Sequence, residues 1–195
     1  MSKIACMRPL AGVGPVMLVP PGTWAVDAAR SAVGFDVRHL KLTKVRGLFR
    51  DVEGVIRCDG DNVVSITGSI DVASIDTGDP RRDARLRDVD FFDVRRHPTI
   101  AVSLVSPPAS AGEAFAVRGT ITIRAAQRAL KLHVEATPTP VNGAGDLRIR
   151  ARGAVSRRAF GLDWDPAFAA GGLVIDDRVA LSLDVVVVRS GSRAN

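Results

Sequence analysis

No tyrosine occurs in this chain, aromatic residues make up 5% of it, and its 195 residues include two cysteines and three histidines. Each shortage excludes something. Cys6 and Cys58 form no CxxC pair and define no disulfide framework, so two reduced thiols are expected. His39, His97 and His133 lie far apart, without the HxH or HExxH spacing that a metal site needs, so neither a metal nor another cofactor is expected. No GxSxG marks a nucleophile, and "GVGP" at Gly12 lacks the strand and helix that flank a phosphate-binding loop. No apolar run reaches the roughly 20 residues of a membrane-spanning helix.

Lysine is scarce as well: 23 of the 27 basic residues are arginine, spread from Arg8 to Arg193, and the net charge is +6. They form no run and do not alternate with aromatics, which reads as a solvated surface and not as a nucleic-acid footprint. The opening "MSKIACMRPLAGVGPVMLVPPGTW" superficially resembles a secretory leader. Its apolar run is short, is broken by Gly12, Gly14 and Pro15, and lacks a cleavage pattern, so a cytoplasmic location is expected.

What the chain does have is alternation. Apolar and polar residues exchange with a period of two almost everywhere after Gly22, as half-buried antiparallel strands require. Val33, Phe35, Val37 and His39 share one face; Val64, Ile66, Gly68, Ile70 and Val72 share another. Ile100, Val102 and Leu104 repeat the pattern, as do Phe115, Val117, Gly119, Ile121 and Ile123, then Leu130, Leu132 and Val134. "LRIRARGAV" and "VALSLDVVVV" complete the series, with turns expected at Asp59 to Asn62, Asn142-Gly143 and Asp176-Asp177.

One segment departs from this pattern. "DPRRDARLRDVDFFDV", from Asp79 to Val94, places a proline after a capping aspartate and continues with helix formers, so it predicts a short helix. About eight to ten strands around one connector close naturally into a barrel without exposed edges. The fold class is therefore all-β, with 22–190 as the barrel domain, 1–21 an N-terminal extension expected to be flexible, and 191–195 a flexible tail. Its interior is lined by Val, Ile, Leu and Ala, with Gly47, Gly68, Gly119 and Gly153 in mid-strand. Together they favour an unfilled apolar cavity, although a strand glycine also marks a bend or bulge.

Four stretches in combination carry a family resemblance: "WAVDAARSAVGFDVRHLKLTKVRGLF", "SIDVASIDTGDPRRDARLRDVDFFDVRRHPTI", "GTITIRAAQRALKLHVEA" and "SRRAFGLDW". Spanning about Thr23 to Val188, they are similar to the YceI-like, polyisoprenoid-binding family. The resemblance implies an eight-stranded, lipocalin-like antiparallel barrel whose long pore holds an isoprenoid, an isoprenoid quinone or a fatty-acyl-type lipid. The pore residues expected on this reading are Val33, Phe35, Val37, His39, Phe49, Ile70, Val72, Phe91, Phe92, Ile100, Val102, Leu104, Val117, Ile121 and Phe160. No catalytic residue is expected.

Phe91 and Phe92 are read as a cap on one barrel end, one ring plugging the core and the other lining the pore; sealing a packed end is the competing reading. His39, Arg82, Asp83 and Arg157 are candidate polar contacts at the mouth, with an Arg82-Asp83 ion pair as the simpler account of those two. Where the family has histidines, this chain has Arg30 and Arg85, which puts any head-group contact there in question. A carrier or store of lipid is the leading function; an enzyme using the pore as a substrate tunnel and a solid-barrel scaffold are the alternatives. Oligomeric state, a homodimer included, is left open by the sequence.

Overall fold

The structure, a computed structural model, describes residues 21–39, 43–59, 64–106, 116–138, 146–163 and 175–190. Residues 1–20 of the extension, the tail, and the turns expected at Asp59 to Asn62 (beyond Asp59) and Asn142-Gly143 lie outside the described residues, as does Trp164.

Eleven strands form one sheet among the described residues: β1 (Gly22–Val26), β2 (Ala32–His39), β3 (Thr43–Phe49), β4 (Val52–Cys58), β5 (Val64–Asp71), β6 (Ile75–Asp76), β7 (Thr99–Ser106), β8 (Ala116–Ile123), β9 (Ala126–Pro138), β10 (Leu147–Ser156) and β11 (Ile175–Arg189). The eleven act as eight. β1 and β2 both pair along β11, Trp24 opposite Arg189 and Val33 opposite Leu183, so they are one long strand interrupted at Asp27 to Ser31. β3 with β4, and β5 with β6, are two more interrupted strands. β11 also pairs with β10, which closes the antiparallel ring and leaves no free edge at that seam.

The first interruption keeps its hydrogen bonds. Asp27 N–H donates to the Val186 carbonyl at 2.9 Å, and Val186 N–H donates to Ser31 Oγ at 3.0 Å, so β11 stays satisfied where its neighbour leaves the sheet. Arg30 sits in this break, donating to Asp27 at 2.7 Å and to the buried Asp146 at 2.8 Å. It ties the start of β10 to the break and does not line the barrel interior.

One end of the barrel is filled by Trp24, Ile56, Cys58, Leu147 and Val187, all buried. Arg189 stacks over the Trp24 ring at 5.6 Å. Burial raises the Cys58 thiol above its ordinary value, with Asp59 adding to the shift, so Cys58 behaves as a packing residue.

At the other end lies α1 (Pro80–Arg87). Asp79 accepts from the N–H groups of Arg81 and Arg82 at 3.0 and 3.3 Å, and Pro80 occupies the first turn, which is why the helix starts there. Its last turn is pinned to the barrel by Arg87, which donates to the Ala73 and Ile75 carbonyls at 2.9 and 2.6 Å.

Two expectations need correction. Val72 does not continue the β5 wall: Asp71 accepts from Ala73 N–H and turns the chain into a 3-10 turn over Val72–Ser74, where Val72 is buried. Asp176-Asp177 is not a turn between strands but an irregular start to β11, where the register against β2 shifts between Ile175 and Val179. Asp177 is used there to accept from Arg158 N–H and Ser156 Oγ, and these two bonds hold its carboxyl below the ordinary value of 3.8.

Candidate functional site

A cavity of about 780 Å³ occupies the half of the barrel beneath α1. Each of the eight composite strands contributes inward residues: Val33, Phe35 and Val37 from β2, Val45 and Phe49 from β3, Ile70 from β5, and Ile100 and Val102 from β7. Ile121 and Ile123 of β8 continue the wall, followed by Leu130 and Leu132 of β9, Val155 of β10, and Val179, Leu181 and Leu183 of β11. The alternation read from the sequence is the physical cause, because every second side chain of a pleated strand meets the same interior.

A second cavity of about 100 Å³ lies deeper toward the Trp24 end, and Val33, Ile70, Val102, Leu132 and Leu183 border both spaces. Gly54 and Gly68, directly opposite each other on β4 and β5, line this deeper space. The other mid-strand glycines do not open the interior. A Cβ on Gly47 would meet the Phe35 ring at 2.2 Å, so the ring already fills that place. A Cβ on Gly119 would lie 1.9 Å from the Ser103 carbonyl oxygen, so that glycine permits a close backbone approach in a tightly curved wall.

The sequence-read pore residues sort as follows. Val33, Phe35, Val37, Phe49, Ile70, Phe91, Phe92, Ile100, Val102, Ile121 and Phe160 border the larger cavity, and Leu104 and Val117 the deeper one. Val72 borders neither, and the side chain of His39 lies outside the described residues. Leu130, Leu132, Leu181 and Leu183 were missed as wall residues although their strands were recognised; their alternation carried the same signal as that of β2.

Phe91 and Phe92 share the cavity border, so neither is only a plug. Their rings meet edge to face at 4.9 Å, Phe92 meets Phe49 at 6.2 Å, and Phe49 meets Phe35 at 5.5 Å. This run of rings connects the helical connector to the β2–β3 wall. Phe160 comes from a 3-10 turn, Arg158–Phe160, that ends at Gly161 in the left-handed conformation, with φ of 69°. It folds over the same barrel end and borders the cavity there.

The polar part of the border is confined to that end: Thr77, Asp79, Arg81, Arg82, Arg85 and Arg157. Arg82 and Asp83 do not pair with each other; both bind Thr77. Arg82 donates to its hydroxyl and carbonyl at 2.7 and 2.8 Å, and the buried Asp83 accepts from its N–H and hydroxyl. Arg157 is buried and donates to the carbonyls of Leu162, Ile175 and Asp176, joining the Phe160 turn to β11. Arg81, Ala84 and Arg85 are exposed while bordering the cavity, so the interior reaches solvent beside α1.

Comparison with known proteins matches residues 24–187 to the model of the YceI-like domain. A UPF0312 protein of Staphylococcus epidermidis is 26% identical over 160 residues, 78% of this chain and 90% of that protein. A Staphylococcus aureus UPF0312 protein is 26% identical over 154 residues, 76% of this chain and 87% of its own length. Among solved structures, BcnA of Burkholderia cenocepacia is similar with a TM-score of 0.68 and 24% identity, over 83% of this chain and 98% of that one. A polyisoprenoid binding domain from Saccharophagus degradans gives 0.61 and 16%, over 86% and 98% of the two chains.

Proposed function

This chain belongs to the YceI-like family, and from that premise we propose that it binds a long-chain amphiphilic lipid, an isoprenoid or similar, inside the barrel and serves as its carrier or store. The observation that carries this reading is the apolar cavity of about 780 Å³ that reaches solvent beside α1. That volume falls within the roughly 300–1,000 Å³ of small-molecule sites. The polyisoprenoid binding domain of Saccharophagus degradans, which has the same fold, supports a lipid in particular. The chain of the lipid would contact Val33, Phe35, Phe49, Ile70, Phe92, Ile100, Val102, Ile121 and Phe160, and its far end would point toward Leu104 and Val117.

Each isoprene unit buried contributes about 4 kcal/mol gross, at about 0.8 kcal/mol per carbon. Lost chain freedom and other costs offset much of this, since noncovalent affinity saturates near about −20 kcal/mol. Cavity depth therefore selects chain length.

Binding without catalysis is favoured by the polar groups at hand. Among the described residues that border the cavity the one carboxylate is Asp79, and it caps α1. A substrate tunnel would call for a titratable pair aimed at the chain.

Solvent extraction of protein purified under native conditions, followed by mass spectrometry, tests the proposal. A single class of long-chain amphiphile in near-stoichiometric amount is expected. Protein that carries none, and that takes up no prenyl or acyl chain after delipidation, refutes it.

A further inference from the structure

A ring of side chains divides the interior into two chambers. Val33 of β2, Ile70 of β5, Val102 of β7, Leu132 of β9 and Leu183 of β11 border both the cavity of about 780 Å³ and the deeper one of about 100 Å³. They come from five different strands of the closed sheet, so they surround the barrel axis where the chambers meet. On β10 the residue beside Leu132 is Gly153. A Cβ there would lie 2.6 Å from Leu132 Cδ2, so the leucine side chain lies along the β10 wall, and a larger neighbour would push it toward the axis. Below the ring, β4 and β5 place Gly54 beside Gly68. The space that two missing side chains leave is bordered by Ile56, Leu104 and Val117, all buried.

The two volumes convert to chain length. At roughly 30 Å³ for each water-sized group in a liquid, the cavity of about 780 Å³ holds about 26 carbons, or about five isoprene units, and the one of about 100 Å³ holds about three. Three carbons make up the branched isopropylidene end of a prenyl chain, one trisubstituted carbon and two methyl groups. An empty apolar chamber stays dry, and its lining lacks contacts on one side. An end group that enters it restores those contacts. A shorter chain leaves the chamber empty, and a longer one leaves units outside the mouth in water, where they gain no burial.

We infer that the deeper chamber is a terminal subsite for the branched end of a prenyl chain, entered through this ring, and that both chambers together measure about six isoprene units. This inference rests on the lipid-binding reading above and gives its ligand a length. Leu132 and Val117 are then the residues that set that length, one at the ring and one in the terminal chamber.

The test incubates the delipidated full chain with phosphatidylcholine vesicles that carry equimolar farnesol, geranylgeraniol, geranylfarnesol, hexaprenol, octaprenol and solanesol. Once the protein is separated from the vesicles, mass spectrometry of the extracted lipid gives the bound distribution. The expected maximum lies at geranylfarnesol or hexaprenol, enriched about threefold or more over farnesol and over solanesol. Val117→Phe puts a ring into the terminal chamber and should move the maximum about one unit shorter. Leu132→Ala opens the dividing ring and should move it about one unit longer. Urea denaturation checks that each variant folds; because the two shifts are opposite in sign, either variant alone decides if the other does not fold.

A parent maximum at any other alcohol, or a distribution that the folded variants leave unchanged, overturns the inference and leaves lipid binding standing. If no prenyl alcohol is taken up, the inference falls; if oleate offered in the same vesicles is refused as well, the lipid-binding reading falls with it.

Discussion

Replacing Val102 with tryptophan separates a binding channel from a filled core. Val102 stands on β7 between Gly68 of β5 and Ile121 of β8, and it borders both the larger and the deeper cavity. An indole adds on the order of 100 Å² of apolar surface over an isopropyl group. If it settles into the void, burial at about 25 cal/mol per Å² contributes about 2–3 kcal/mol, before the cost of fixing its rotamer. The space of about 780 Å³ is several times what the ring adds, so the delipidated variant should be as stable as its parent or slightly more so. In a filled interior the same change forces overpacking and costs about 1–3 kcal/mol. The two pictures thus differ in sign. Urea denaturation of both delipidated proteins measures this, and lipid recovered per mole after expression measures the other half. Loss of lipid with unchanged stability is expected; a variant destabilised by about 3 kcal/mol that still carries the parent's lipid refutes the channel.

Gly119→Ala should lower stability by about 3 kcal/mol or more in urea denaturation, because its Cβ would lie 1.9 Å from a backbone oxygen that cannot swing away. Gly47→Ala should cost only about 1 kcal/mol, since it meets the far end of the Phe35 ring, which can turn into the cavity; lipid recovery should drop instead. Phe160→Ala is expected to lose about 3 kcal/mol, at the lower end for a buried phenylalanine because one side of the ring already faces open space. A loss under about 1 kcal/mol would remove it from the barrel closure. Asp27, Asp76, Asp177 and Asp184 are all held below their ordinary value of 3.8, by Arg30, by Arg50, by Arg158 N–H and by Arg148 respectively as the largest cause. A depressed folded value means the stabilisation is present above about pH 4 and is lost as pH falls through the folded values, so thermal stability should decline below 3.8, modestly because these carboxylates face solvent. Asp177→Asn should flatten that drop, and an unchanged profile would show that its two hydrogen bonds carry no linkage.

Alternation, capping and the aromatic pair were readable in the sequence because they are local. A pleated strand sends every second side chain to one face whatever lies opposite, so Val33, Phe35 and Val37, or Ile100, Val102 and Leu104, declared a shared wall without any knowledge of the partner strand. Asp79 before Pro80 announced the start of α1 in the same way. The breaks were not readable. Val72 keeps the alternation of β5, yet Asp71 captures the Ala73 N–H and turns the chain, and only the pairing of Ile75 with Phe49 shows that the strand resumes.

What tertiary structure alone decided is which residues stand beside each other on neighbouring strands. Four mid-strand glycines look alike in the sequence. Only the paired strands show that Phe35 covers Gly47, that Gly119 lets two backbones approach, and that Gly68 stands beside Gly54 in the wall of the deeper cavity. The arginines divide in the same manner. Arg30 is spent on Asp27 and Asp146 in a strand break, while Arg85 stands with Arg81 at the mouth. A side chain's own type and spacing determine which face it occupies; its neighbours there come from residues up to the length of the chain away, and only closure of the sheet brings them together.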